Sequence, residues 1–280
     1  MSTSCCGKEF ISAAGNQQKN DMKCVVLGAG NVAWSLAPAL AAAGLDVVQV
    51  WGRNAEKASA LASTIDGCNA VSNPEDIIKD ADLYVMAVHD DAIAPLAATL
   101  GRREGIWVHT SGSVDADALS PITDTFGVLY PLQTFSYGRH TSLSDVPVYV
   151  EGSDSATGLQ IESIARAISS DVRLSDSARR RRVHAAAVFA CNFANHLWDT
   201  ADNLLRQSGD DLSVLYPLLR ETTEKALSMP PHDAQTGPAR RGDTRVMQAH
   251  LSALSREDSE VYKLLSNRIM KSFGHECDKL

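Results

Sequence analysis

Directly after the short apolar run Lys23 to Leu27 (KCVVL), the chain reads Gly28-Ala29-Gly30-Asn31-Val32-Ala33. An alanine- and leucine-rich stretch then continues to Ala43 and stops at Gly44. A β-branched run too short for a helix, a glycine turn and a helix-forming segment together predict a strand, a tight turn and a helix. In a GxGxxA turn the first glycine permits the sharp reversal and the second lets backbone approach a pyrophosphate. The small last residue lets the helix pack close to the strand, and the phosphate lies at the helix N-terminus. The spacing therefore predicts a dinucleotide-binding turn, with Gly28, Ala29, Gly30, Asn31 and Val32 around the pyrophosphate. A glycine turn that binds nothing is the other reading of the same residues. Pro38 falls inside the helix, so a kink or a compensating environment is expected there.

The alternation continues beyond this unit. Leu45 to Trp51 reads as a second strand, Asn54 to Ile65 as a helix, and Pro74 opens a short helix. Leu83 to Val88 is a strand, Asp91 to Leu100 a helix with Asp91 as its cap, and Ile106 to His109 another strand. Phe126 to Tyr130, Val146 to Val150 and Val172 to Leu174 look like later strands of the same sheet. Such a sequence predicts an α/β fold with a Rossmann-type, mainly parallel sheet covered by helices on both faces. Beyond Asp176 helical spacing takes over. A long helix is expected from Ser177 to Gln207, with Val183, Ala187, Ala190, Ala194, Leu197, Ala201 and Leu204 as a stripe packed against something large. Further helices follow over Leu212 to Leu227, Thr244 to Leu254 and Arg256 to Phe273. The domain plan is thus a disordered tail over 1–21, a dinucleotide-binding domain over 22–175 and an all-α substrate and dimerisation domain over 176–275.

Composition limits the partners. Among 280 residues, 34 Asp and Glu outnumber 26 Lys and Arg, giving a formal charge of -8. That balance argues against nucleic acid, whose binding needs a basic face. No apolar run reaches the roughly 20 residues of a membrane helix, and the first 21 residues lack the apolar core of a secretory signal, so a cytoplasmic protein is expected. The six cysteines are scattered without metal-ligand spacing, which predicts reduced thiols and no metal.

At the end of the second strand, where an NAD site would carry a carboxylate for the ribose hydroxyls, the chain has Trp51-Gly52-Arg53-Asn54. Nothing there repels a 2′-phosphate, and Arg53 offers a planar donor fork with Asn54 as a further hydrogen bond, so NADP(H) is expected rather than NAD(H). A solvated surface arginine is the alternative. At the ends of the next strands, Val88, His89, Thr110 and Ser111 are placed to border the nicotinamide. His109 reads equally as a buried, satisfied histidine or as an acid or base. In the helical half, His184 and Asn195 are eleven residues apart, which at 3.6 residues per turn returns them to within roughly 20° of one face, and Asn192 lies nearby. These three, with Ser111, are the catalytic candidates; an interhelical hydrogen-bonded pair is the other explanation, and His250 has the same two readings. Arg179 to Arg182 reads as a solvated helix start. Thr236, Gly237 and Arg241, in TGPARRGD, could bind a carboxylate or phosphate of a small substrate, while a stiff loop with Asp243 as a helix cap explains the same residues.

With these residues in place, the chain after Met22 resembles a family of uncharacterised Rossmann-like proteins with a helical C-terminal domain, described as NADP-dependent oxidoreductases. The resemblance rests on GAGNVA with WGRN, on VHDDAI, HTSGS and the YPLQTF stretch at Tyr130 to Phe135, on HAAAVFACNF at His184 to Phe193, and on TGPARRGD. More distantly the chain is similar to pyrroline-5-carboxylate reductase, 6-phosphogluconate dehydrogenase and hydroxyisobutyrate dehydrogenase. The resemblance implies a C-terminal domain like that of 6-phosphogluconate dehydrogenase, a homodimer formed through it, and TGPARRGD reaching a partner's nicotinamide cleft. It implies hydride transfer between NADP(H) and a small carbonyl or imine substrate. The catalytic lysine of the hydroxyacid dehydrogenases is missing from the long helix, so their reaction does not carry over. A non-catalytic NADP(H)-binding sensor or a dimeric assembly protein is the alternative function.

Overall fold

The computed structural model describes residues 22–276. The tail expected over 1–21 lies outside the described residues, as do Cys5, Cys6 and Cys277. By its internal contacts the chain divides into two compact units, the first ending at Cys191 and the second starting at Asn192.

The first unit is built on strands β1 (Lys23–Leu27), β2 (Asp46–Trp51), β3 (Asn69–Val71), β4 (Leu83–Met86), β5 (Ile106–His109), β6 (Phe126–Pro131), β7 (Val148–Gly152) and β8 (Val172–Leu174). They form one sheet in the order β3-β2-β1-β4-β5-β6-β7-β8. Every pairing is parallel except that of β6 with β7. The expected Rossmann-type, mainly parallel sheet is therefore present. Its short edge strand β3 was not foreseen, because Asn69-Ala70-Val71 is brief and exposed rather than apolar.

Residues of one strand alternate between two cores. Cys24 and Val26 of β1 join α1 (Asn31–Ala42), α2 (Ala55–Ala62) and α4 (Ser155–Ile168), whereas Val25 and Leu27 face α3 (Asp90–Leu100) and the turn around Leu119. This two-sided burial is why the central strands read as apolar runs rather than as alternating ones. Helix α1 runs through Pro38 without interruption. Helix α3 starts at Asp90 with His89 in the cap position, so Asp91 is not the cap; both Asp90 and Asp91 lie in the first turn, where their charge complements the helix dipole.

The long helix expected from Ser177 to Gln207 is three segments: α5 (Ser177–Ala187), a π-helical turn over Val188–Phe193, and α6 (Ala194–Arg206). A π turn inserts residues relative to the 3.6-residue repeat, so the face shared by His184 and Asn195 on an ideal helix does not survive. The change to helical spacing falls at Asp176, but α5 belongs to the first unit because Arg180 is completely buried there.

The second unit contains α6, α7 (Tyr216–Ser228), α8 (Pro231–Ala234), α9 (Pro238–Arg241), α10 (Thr244–Leu251) and α11 (Arg256–Ser272). Its buried apolar cluster is small, consisting of Ala239, Met247 and Met270. Among the described residues none of α6 or α7 is buried, so what the α6 stripe is expected to pack against is not found within the chain. Among the described residues no helix is long and apolar enough to cross a membrane, and no group of acidic, histidine or cysteine side chains could hold a metal ion.

Candidate functional site

The strand order reverses between β1 and β4, and this is where the glycine turn lies. Gly28 has φ +124°, and a Cβ there would meet the Ala87 carbonyl oxygen at 2.2 Å. The turn can thus exist only with glycine, because the backbone leaving β1 touches the backbone leaving β4. Gly30 is different. Its φ is -92°, which any residue adopts, and a Cβ would meet nothing within 4 Å. Among the described residues no packing demands glycine at 30, while a pyrophosphate seated on the turn does. Gly30 caps α1 without a side-chain acceptor, and the first helical hydrogen bond runs from the Trp34 amide to the Gly30 carbonyl. The amides of Asn31, Val32 and Ala33 at the N-terminus are therefore left to an anion. These residues fit a dinucleotide pyrophosphate.

At the end of β2, Arg53 is exposed and makes no ion pair among the described residues, and Lys57 is also exposed, its ammonium 4.8 Å from the ring centre of Tyr137. The Asn54 side-chain oxygen accepts from the Lys57 amide as the cap of α2, which leaves only its NH2 group for a ligand. Lys57, in the first turn of the helix that follows Arg53, is a second exposed cation that no sequence motif singles out.

At the ends of β4 and β5 lie partly buried Val88, exposed His89, and buried Thr110 and Ser111. The Ser111 hydroxyl oxygen accepts from the amides of Ser113 and Val114, each at 3.0 Å, so it folds its own loop. Beneath it, His109 is fully buried. Its Nδ1 accepts from the Ser111 amide, and Nε2 lies 3.3 Å from the Asp115 carbonyl. Burial, aided by the charge of Arg180, pushes its pKa down to about 4. His109 is thus a neutral, satisfied core histidine, and the acid-base alternative falls away.

The structure brings His184 to this loop. Its ring packs on Gly112, where a Cβ would meet Nδ1 at 2.5 Å, and Nδ1 is 2.8 Å from the hydroxyl of Tyr130 near the end of β6. Tyr130 is only 8% exposed, and burial raises its pKa to about 12, so the phenol stays protonated at neutral pH. Helix α5 is anchored one turn earlier by Arg180, which is paired with Glu151 of β7 and donates to the Val114 carbonyl and to Ser177. The arginine run is therefore not wholly a solvated helix start. Its second member ties the loop after β5 to β7, because position 180 alone of the four is buried. Neither Tyr130 nor Arg180 was identifiable as a site residue from spacing, since each acts through a partner more than twenty residues away.

The other nominated residues belong to the second unit. Asn192 lies in the π turn and Asn195 in α6, both exposed. Thr236 and Arg241 are exposed as well, Gly237 has φ +100°, and the Asp243 side chain caps α10. The amides of Gly242 and Asp243 already bond to Ala239 and Pro238, leaving fewer free donors in TGPARRGD than its composition suggested. His250 bonds to the Tyr262 hydroxyl at 2.8 Å, so its interhelical reading holds.

Residues 23–109 match the family described as NADP oxidoreductase coenzyme F420-dependent, and residues 146–269 match a domain of unknown function, DUF2520. No protein of curated function matches the chain. A solved structure from Bacteroides fragilis, whose name proposes an NADP oxidoreductase, is 35% identical, with 90% of this chain and 98% of that one covered and a TM-score of 0.85. A reductive aminase from Aspergillus terreus, solved with NADPH and ethyl-5-oxohexanoate, is 17% identical over 92% of this chain and 97% of its own, with a TM-score of 0.66. A pyrroline-5-carboxylate reductase from Coxiella burnetii is 15% identical over 91% and 94%, at a TM-score of 0.53. At these low identities the last two share the fold alone. The first, together with the glycine turn and the carboxylate-free end of β2, is decisive: the chain belongs to the family of Rossmann-type NADP oxidoreductases with a helical C-terminal region, whose cofactor is NADP(H).

Proposed function

We propose that this protein catalyses hydride transfer between NADP(H) and a carbonyl or imine carbon of a small molecule. The observation that carries the reading is that the anion-ready turn at Gly30, after β1, and the Tyr130–His184 pair, near the end of β6, lie at the carboxyl ends of strands of one sheet within one unit. In this reading Gly28 to Val32 hold the pyrophosphate, Arg53, Asn54 and Lys57 the 2′-phosphate, and Val88, His89, Thr110 and Ser111 border the nicotinamide. The nicotinamide supplies the hydride chemistry when bound. His184 exchanges the accompanying proton with the substrate heteroatom, and Asn192 and Asn195 support substrate orientation. Thr236, Gly237 and Arg241 take an anionic group of the substrate. The reductive aminase and the pyrroline carboxylate reductase among the structural relatives favour a carbonyl or imine as the acceptor.

A homodimer through the helical unit is part of the same proposal. Its support is the small buried core of that unit beside exposed Leu218, Leu227 and Leu264, at 59%, 84% and 63%. These side chains on α7 and α11 are apolar surface that a second copy of the chain would cover. The cytoplasmic setting is supported by the free thiols of Cys24, Cys68 and Cys191 among the described residues.

The test is calorimetric titration with NADPH and with NADH, repeated on Arg53→Ala. Binding of NADPH should weaken about tenfold or more with NADH or in the variant, which corresponds to about 1.4 kcal/mol for one charged contact. No binding of either nucleotide would remove the oxidoreductase reading. Binding without turnover across carbonyl and imine substrates would favour the sensor.

A further inference from the structure

We propose that Tyr130 is a positioning residue for the reaction, donating its hydroxyl hydrogen to Nδ1 of His184 and thereby holding the imidazole proton on Nε2. The inference rests on the proposed role of His184 in proton exchange and accounts for the YPLQTF stretch, which no part of the nucleotide site uses.

The direction of the hydrogen bond follows from what each group has left. Among the described residues the Tyr130 hydroxyl has no partner besides His184 Nδ1, at 2.8 Å. If Nδ1 carried the proton and donated it, the phenolic hydrogen of this side chain, which is only 8% exposed, would have no acceptor among the described residues, an arrangement proteins avoid. If Tyr130 donates, its hydrogen is satisfied, and the remaining imidazole proton goes to Nε2 of a ring that is only half-buried. Nε2 is then the nitrogen open to a ligand. The charged and titratable groups acting on the phenol are Tyr149 on β7, Arg180 on α5 and Asp90 on α3. Burial outweighs them and keeps the phenol protonated, so it remains a donor across the neutral range.

The imidazole is also immobilised by its surroundings. Gly112 leaves no gap between its backbone and the ring, and the edge of the His184 ring meets Tyr130 at 73° with centres 5.8 Å apart. Arg180, four residues earlier on α5, bonds to Glu151 and to the Val114 carbonyl, so the helix and the loop under the imidazole are tied to each other. With Nδ1 engaged by a fixed donor the ring has one defined tautomer, whose Nε2–H donates to the substrate heteroatom. When that proton is transferred Nδ1 takes the phenolic hydrogen, so the ring stays neutral and Tyr130 is reprotonated from solvent before the next turnover.

The experiment is a proton–nitrogen correlation spectrum of the imidazoles in the 15N-labelled full chain, with H184Q assigning the His184 signals and NADPH titrations run in parallel. In the wild type, His184 should show the neutral tautomer protonated at Nε2. In Y130F, which keeps the buried ring, it should become a mixture of tautomers, while NADPH affinity stays within about twofold. A wild-type His184 protonated at Nδ1, or a tautomer unchanged in Y130F, would overturn the proposal. The wild-type spectrum alone decides the tautomer should Y130F fail to fold. Loss of NADPH binding in every protein would instead refute the oxidoreductase reading, and would leave the tautomer result standing.

Discussion

The two glycines of the turn are required for different reasons, and substitution by alanine separates them. At Gly28 a methyl group would meet the Ala87 carbonyl at 2.2 Å with φ held at +124°. Overpacking costs about 1–3 kcal/mol and a non-glycine residue in that backbone region a similar amount, so Gly28→Ala should lose about 2–6 kcal/mol of stability. At Gly30 the methyl meets nothing, and the loss of a glycine cap, about 0.5–1 kcal/mol, is offset by the roughly 0.4–1 kcal/mol gained by restricting the unfolded chain. Gly30→Ala should therefore melt within about 2 °C of wild type without ligand. NADPH at about 100 times its Kd stabilises the wild type by about 2.7 kcal/mol; a hundredfold weaker site would retain only about 0.4 kcal/mol of that. Differential scanning fluorimetry with and without NADPH reads both quantities. A Gly30→Ala protein stabilised by NADPH as strongly as the wild type would refute the placement of the pyrophosphate on this turn.

Two further outcomes are expected. His109 has a folded-state pKa of about 4 against 6.5 for an ordinary histidine, so the unfolded chain takes up a proton first as pH falls. The stability owed to the neutral ring is complete above pH 6.5 and is lost between there and pH 4, with about 2 kcal/mol gone at pH 5. Urea midpoints at pH 7.5 and 5.0 should show that loss in the wild type and not in His109→Gln, and equal losses in both would exclude His109 as the cause. Gly112→Ala would drive a methyl into the His184 ring, so it should break the Tyr130 bond and produce the same mixed imidazole signal as Y130F with NADPH affinity retained. An unaltered His184 signal in that variant would contradict the packing of the ring on Gly112.

The features of this protein that are legible in its sequence are those governed by local rules. Lys23–Leu27, GAGNVA and the helix after it specify their own conformations, and alternating apolar runs fix a mainly parallel sheet, because strand burial and turn chemistry are encoded over a few residues. The lack of a carboxylate beside Arg53 was likewise legible, since it is a property of one position at the end of one strand. Tertiary structure decided what depends on which distant side chains meet. Spacing alone could not reveal that Tyr130 and His184, 54 residues apart, share a hydrogen bond, or that Arg180 is buried against Glu151 while its three neighbours are not. The 3.6-residue repeat also misled over 188–193, where a π turn breaks the register that placed His184 and Asn195 on one face. A helical period predicts direction only while the backbone hydrogen bonds keep that period, and whether they do is settled by the packing around them.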